Sequence, residues 1–146
     1  MVRSAKGRRI GVFGGTFDPP HIGHLVAAVD AQRELGLDVV LLVVANVPWQ
    51  KVESREISPT EDRLALVRAA AEDTPFLQVS DIEIRRGGSS YTADTLAELR
   101  REEPDAELFV ILGTGAGTPR RRGRLRGHRV NDRGNGPRWR TRPRVA

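Results

Sequence analysis

With 146 residues, 38% of them hydrophobic, and no cysteine, the chain can form one compact domain but has neither disulfides nor thiolate metal sites. The basic leader, residues 1–8, lacks an apolar core, and no segment approaches the roughly 18 consecutive apolar residues of a membrane span, so a cytoplasmic protein without membrane contact is expected. The net charge of +5 is split: residues 1–112 carry 13 Lys and Arg against 18 Asp and Glu, residues 113–146 carry 11 Arg against one Asp, and only the ends could attract nucleic acid.

The first element is a short apolar strand, Arg9-Ile10-Gly11-Val12-Phe13, followed by GGTFDPPHIGH from Gly14 to His24. Gly14 and Gly15 let the backbone turn and approach a ligand, and Pro19 and Pro20 stiffen the turn. Ile22, Leu25, Val26 and Val29 recur with helical spacing, and Gly36 closes that helix. The N–H groups and positive end of such a helix suit an anion. His21 and His24 stand three apart, so both imidazoles can point toward it, and an oligophosphate fits. Two histidines at this spacing could also ligate a metal. No Glu lies between them and no third ligand is near, so no protein-held metal is expected.

Val39 to Ala45 is a continuous apolar run, as a strand buried on both faces should be, and Asn46 to Lys51 (NVPWQK) follows it. Ser58-Pro59-Thr60-Glu61 reads as an N-cap, a proline at the first helical position and a capping-box Glu, before a helix with Leu64, Leu66, Val67 and Ala70 that runs to about Asp73. Phe76 to Ile84 predicts a strand, with Leu77, Val79, Ile82 and Ile84 alternating against polar residues, and Arg85-Arg86-Gly87-Gly88 a turn. Thr92 predicts the cap of a helix containing Leu96 and Leu99, with Asp94 at its positive end and Pro104 beyond it. Glu107 to Leu112 gives a fourth strand. Strand and helix alternate, which predicts an α/β fold: a Rossmann-like open parallel sheet with helices on both faces. Ligands of such sheets bind beyond the carboxyl ends of the strands, where Gly14 to His24, Asn46 to Lys51 and the residues from Gly113 would lie.

Gly15-Thr16-Phe17-Asp18-Pro19-Pro20-His21-Ile22-Gly23-His24 resembles the signature of the HxGH nucleotidyltransferases, and in particular their nicotinate mononucleotide adenylyltransferase branch. Pantetheine-phosphate adenylyltransferases share the strand, the turn and the second histidine but usually lack the Pro-Pro-His run. The stretch SSYTADTL, Ser89 to Leu96, resembles the SYT-x-DTL element of the nicotinate mononucleotide branch, with Ser89 where members often have Pro. The resemblance implies a chain that transfers the adenylyl group of ATP, carried with magnesium, to nicotinate mononucleotide. It implies ATP binding at Gly14, Gly15, Thr16, Phe17, His21 and His24, with the two histidines catalytic. It implies substrate binding at Lys51, in a Pro-x-x-Lys element, and at Tyr91 and Thr92, whose amides would receive the nicotinate carboxylate. A related pantetheine-phosphate or cytidylyl enzyme is the second possibility, and a noncatalytic polyanion-binding protein the third.

The resemblance covers about residues 8–114, so residues 9–114 are expected to be the N-terminal part of a nucleotidyltransferase domain. The family continues with Gly-x-Asp, a stacking Trp and a late Ser/Thr-rich motif ending in Arg. Here Gly113-Thr114-Gly115 puts Gly in place of the Asp, and Trp139 stands in a Gly, Pro and Arg context matching neither later motif. Residues 115–146 read either as a basic extension that binds polyanions by counterion release, which accounts for the composition, or as an out-of-frame reading of a GC-rich gene, which is favoured because it accounts as well for the abrupt onset, the halted resemblance and the missing motifs. On the second reading the fourth strand is left with a bare edge, and the polypeptide is expected to aggregate readily and to have little activity.

Overall fold

A computed structural model describes residues 7–48, 56–112 and 126–129. Strand β1 (Arg9–Gly15) pairs in parallel with β2 (Val39–Val44) on one side and with β6 (Glu107–Leu112) on the other. Beyond β2 lies β4 (Leu77–Ser80), also parallel. Beyond β6 lies β7 (Arg126–Arg129), antiparallel, which gives the order β4-β2-β1-β6-β7.

The central strands are apolar throughout because both faces are covered. Phe13, Val40, Leu42, Val44, Phe109 and Ile111 join one buried cluster, and Ile10, Val12, Val39, Val43, Leu108 and Val110 the other. Helix α1 (Ile22–Leu35) and helix α2 (Thr60–Ala71) cover the first face through Ala28, Ala31, Val67 and Ala71. Helix α3 (Ile82–Arg86) and helix α4 (Thr92–Glu102) cover the second through Ile82, Leu96 and Leu99. Two short strands, β3 (Val47–Pro48) and β5 (Ser89–Ser90), form a separate parallel pair. Among the described residues no helix is long and apolar enough to cross a membrane.

Several expectations need correction. The strand predicted over Phe76 to Ile84 stops at Ser80, and Ile82 to Arg86 is helical. Asp81 turns the chain there: its carbonyl accepts from the Arg85 N–H at 2.9 Å and its carboxylate holds Arg85 Nε at 2.8 Å, i to i+4 bonds that a strand cannot make. Helix α1 shows a different face from the one its large residues suggest. Ile22 is 73% exposed and Val26 half exposed, while the small Ala28 and Ala31 let the helix lie close to the sheet. On α2, Leu66 is exposed and the buried row is Arg63, Val67 and Ala71. The caps move too: α2 starts after Pro59 and α4 after Tyr91, neither with a side-chain cap, so Ser58 and Thr92 do not cap. The outer edge of β6, expected bare, carries β7 over four residue pairs, from Phe109 opposite Arg129 to Leu112 opposite Arg126.

Candidate active site

The chain proceeds outward from β1 to β2 and β4, then returns to lay β6 against the other side of β1. Strand order therefore reverses between β1 and β6, and the crevice beyond their carboxyl ends is where such sheets take ligands. A cavity of about 190 Å³ opens there. Its walls come from Gly14, Gly15 and Thr16 after β1, Val110 to Leu112 of β6, and Ser90, Thr92 and Thr95 around the start of α4.

On one side stands the segment from Gly14 to His24. Gly14 and Gly15 still belong to β1, and the left-handed residue that turns the chain is Phe17, with φ 51°. Gly14 serves the cavity differently: a Cβ there would meet nothing within 4 Å, so the backbone is open to whatever occupies the space. A left-handed non-glycine residue costs about 1–3 kcal/mol and needs surrounding structure to hold it. Here the Phe17 ring is 2% exposed and packs edge-on against Phe13 at 6.0 Å and His24 at 4.9 Å between centroids.

His21 is the N-cap of α1. Its Nδ1 accepts from the Gly23 N–H at 3.1 Å, and His24 Nδ1 accepts in return from the His21 N–H at 3.0 Å, a capping box made of two imidazoles. The rings stack with centroids 3.8 Å apart. Gly23 is required by this arrangement, because a Cβ there would lie 2.9 Å from the His21 ring. Accepting at Nδ1 assigns the proton of each neutral imidazole to Nε2, so the donor of each ring is Nε2–H.

Behind this segment lies Arg63, 1% exposed. Its Nε donates to the Ser58 carbonyl at 2.8 Å, Nη1 to the carbonyls of Ala45 at 2.6 Å and Thr16 at 3.0 Å, and Nη2 to that of Asn46 at 3.1 Å. Burial pushes this guanidinium below the usual arginine range, and the Asp18 carboxylate opposes that shift. Asp18 also accepts from the Ser58 N–H at 2.9 Å. Sequence reasoning passed over Arg63. Its signal was an arginine four residues before the buried Val67, on the face α2 turns inward.

Across the cavity is the start of α4. Thr92 is its first residue and lines the cavity, and Tyr91, 48% exposed, precedes it. A row of side chains fixes this helix: the Thr95 hydroxyl donates to the buried Glu83 carboxylate at 2.7 Å and accepts from Arg86 Nη2 at 3.0 Å, while Arg86 Nη1 meets Glu98 at 3.2 Å. Ser90 Oγ accepts from the Asn46 N–H at 2.8 Å, which ties this side to the end of β2. Glu83, Thr95 and Asn46 were likewise not singled out in the sequence. Lys51 and Trp49 lie outside the described residues. Of the remaining sequence candidates, Gly14, Gly15, Thr16 and Thr92 line the cavity, Phe17 and Tyr91 stand next to lining residues in the chain, and His21 and His24 are not among its lining residues.

A family model described as cytidylyltransferase-like matches residues 12–118, from the middle of β1 past the end of β6. The chain belongs to that family. Proteins named "Probable nicotinate-nucleotide adenylyltransferase" are similar to it: one from Saccharopolyspora erythraea is 51% identical over 75% of this chain and 51% of its own, and one from Corynebacterium glutamicum is 44% identical over 80% of this chain and 53% of its own. The chain spans about half the length of the curated relatives it matches. Among solved structures, the nicotinic acid mononucleotide adenylyltransferase of Plasmodium falciparum complexed with NaAD superposes with a TM-score of 0.61 at 14% identity, covering 71% of this chain and 51% of that one. At that identity it supports the Rossmann-like fold.

Proposed function

We propose that this chain carries the substrate-binding half of an enzyme that transfers the adenylyl group of ATP to nicotinate mononucleotide. The products are nicotinate adenine dinucleotide and pyrophosphate. An oxygen of the mononucleotide 5′-phosphate bonds to the α-phosphorus of ATP, and the bond from that phosphorus to the bridging oxygen of the β-phosphate breaks, its electron pair leaving with pyrophosphate. No covalent enzyme intermediate is needed. The carrying observation is that Gly14, Gly15 and Thr16, at the head of the segment that leads to the two histidines, and Thr92, at the start of α4, line one cavity at the strand-order reversal.

In this reading His21 and His24 present Nε2–H donors to the triphosphate, where negative charge grows as pyrophosphate departs. The backbone from Gly14 to Thr16 and the N-terminal turn of α1 accept the phosphates closely. The amides of Tyr91 and Thr92, at a helix start without a side-chain cap, take the nicotinate carboxylate. Lys51 is proposed as the cation beside the substrate phosphates. Among the described residues no group of three or more His, Cys, Asp or Glu side chains is gathered to hold a metal ion. Magnesium is proposed to arrive with the ATP phosphates, where it would neutralise charge when bound. With two anions to bring together, alignment supplies much of the rate.

Calorimetric titration tests this reading. ATP and nicotinate mononucleotide are expected to bind the chain, and CTP and phosphopantetheine are not. Binding of phosphopantetheine in preference to nicotinate mononucleotide would overturn the substrate assignment. The Arg-rich end is tested apart, since salt-sensitive nucleic-acid binding lost on deleting residues 113–146 would mark it as a polyanion-binding extension.

A further inference from the structure

Arg63 has no part in the reaction as proposed, yet its buried fork is spent on main-chain oxygens of three separate segments. One is Thr16, in the turn of the phosphate segment. Ala45 and Asn46 leave β2, and Ser58 precedes α2. The residue after Thr16 is the left-handed Phe17, and the residue after that is Asp18, anchored by the Ser58 N–H. Phe17 is thus gripped on both sides along the chain, and its ring lies against His24. His24 in turn accepts from the His21 N–H to complete the imidazole cap.

We propose that Arg63 is a positioning residue for the phosphate site, setting the orientation of the His24 imidazole through Thr16 and Phe17. This role rests on the assignment of His24 to ATP. The route is short and physical: a planar guanidinium fixes a carbonyl, the carbonyl fixes a left-handed residue, and that residue's ring packs the imidazole edge. Lysine cannot substitute. Its single ammonium has three donors at one point and cannot reach four carbonyls arranged around a planar fork.

The test compares Arg63→Lys with Val67→Ala, a core truncation one turn further along α2 that removes apolar packing but no hydrogen bond to these segments. Both variants lose stability, so melting temperature alone does not separate them. The first readout is the ligand-free nitrogen spectrum of the histidines, and the second is ATP affinity by calorimetry. Arg63→Lys is expected to lose the single Nε2–H pattern of His24 and to bind ATP roughly tenfold more weakly or worse, whereas Val67→Ala keeps both. A His24 pattern in Arg63→Lys that matches Val67→Ala would overturn the proposal. If the unmutated chain does not bind ATP, the functional reading fails and the His24 spectrum still decides the role of Arg63. Should Arg63→Lys not fold, Arg63→Gln is measured in the same way. Failure of both to fold would assign Arg63 to the fold rather than to the site and would also overturn the proposal.

Discussion

The β1 side of the crevice, proposed to hold phosphate, is fixed through main-chain oxygens and two imidazoles, whereas the α4 side is fixed by a row of polar and charged side chains. Arg63 reaches backbone carbonyls, and the His21 and His24 rings exchange bonds with backbone N–H groups. Across the cavity, Glu83, Thr95, Arg86 and Glu98 bond to one another. Main-chain anchoring fixes backbone position, which suits a segment proposed to bring amides close to phosphate. Side-chain anchoring holds a whole helix while leaving its first turn uncapped, which suits amides proposed to receive a carboxylate. Damage to the two sides should therefore separate by substrate.

The largest expected effect concerns the whole reaction: the 146-residue chain, about half the span of its relatives, should form little dinucleotide. Turnover close to that of a full-length relative would contradict this. Next is His24→Ala. Introduced in a full-length relative, the corresponding change should lower kcat by roughly 10² or more, as loss of one oxyanion donor does, and unchanged steady-state kinetics would remove His24 from the reaction. Glu83→Ala comes third. It leaves the buried Thr95 hydroxyl short of its acceptor, costing about 2 kcal/mol in denaturant unfolding, and it should weaken nicotinate mononucleotide binding more than ATP binding. An equal loss for both ligands would dissolve the distinction between the sides.

Gly23→Ala is smaller and opposite in preference. Its Cβ, 2.9 Å from the His21 ring, displaces the cap, costing about 1 kcal/mol, and it should weaken ATP rather than mononucleotide binding. The smallest effect belongs to Leu66→Gln, at an exposed position of α2, where stability should change by no more than about 0.5 kcal/mol. A larger loss would mean that Leu66 is covered in solution.

The sheet was legible because both-face burial writes itself as unbroken apolar runs: Val39 to Ala45 and Glu107 to Leu112 needed no tertiary knowledge. What pattern could not show was any residue whose neighbour comes from elsewhere in the chain. Arg63 reads as a solvated helix arginine until Thr16 and Ala45 are brought to it. The face of α1 was misjudged because large side chains draw attention, while close helix–sheet packing rests on Ala28 and Ala31. The alternation of Ile82 and Ile84 imitated a strand, and the local bonds of Asp81 and Arg85 outweighed it. The turn was assigned to Gly14 and Gly15, yet the left-handed residue that makes it is Phe17, held by ring packing.

One titration bears most directly on a single crevice with two differently anchored sides. Nicotinate adenine dinucleotide contains both halves that the cavity is proposed to hold, so it should compete with each. Added to the chain together with ATP in one cell and nicotinate mononucleotide in another, it is expected to displace both. Displacement of only one, or binding of ATP and mononucleotide that the dinucleotide leaves untouched, would contradict a shared site between β1 and β6.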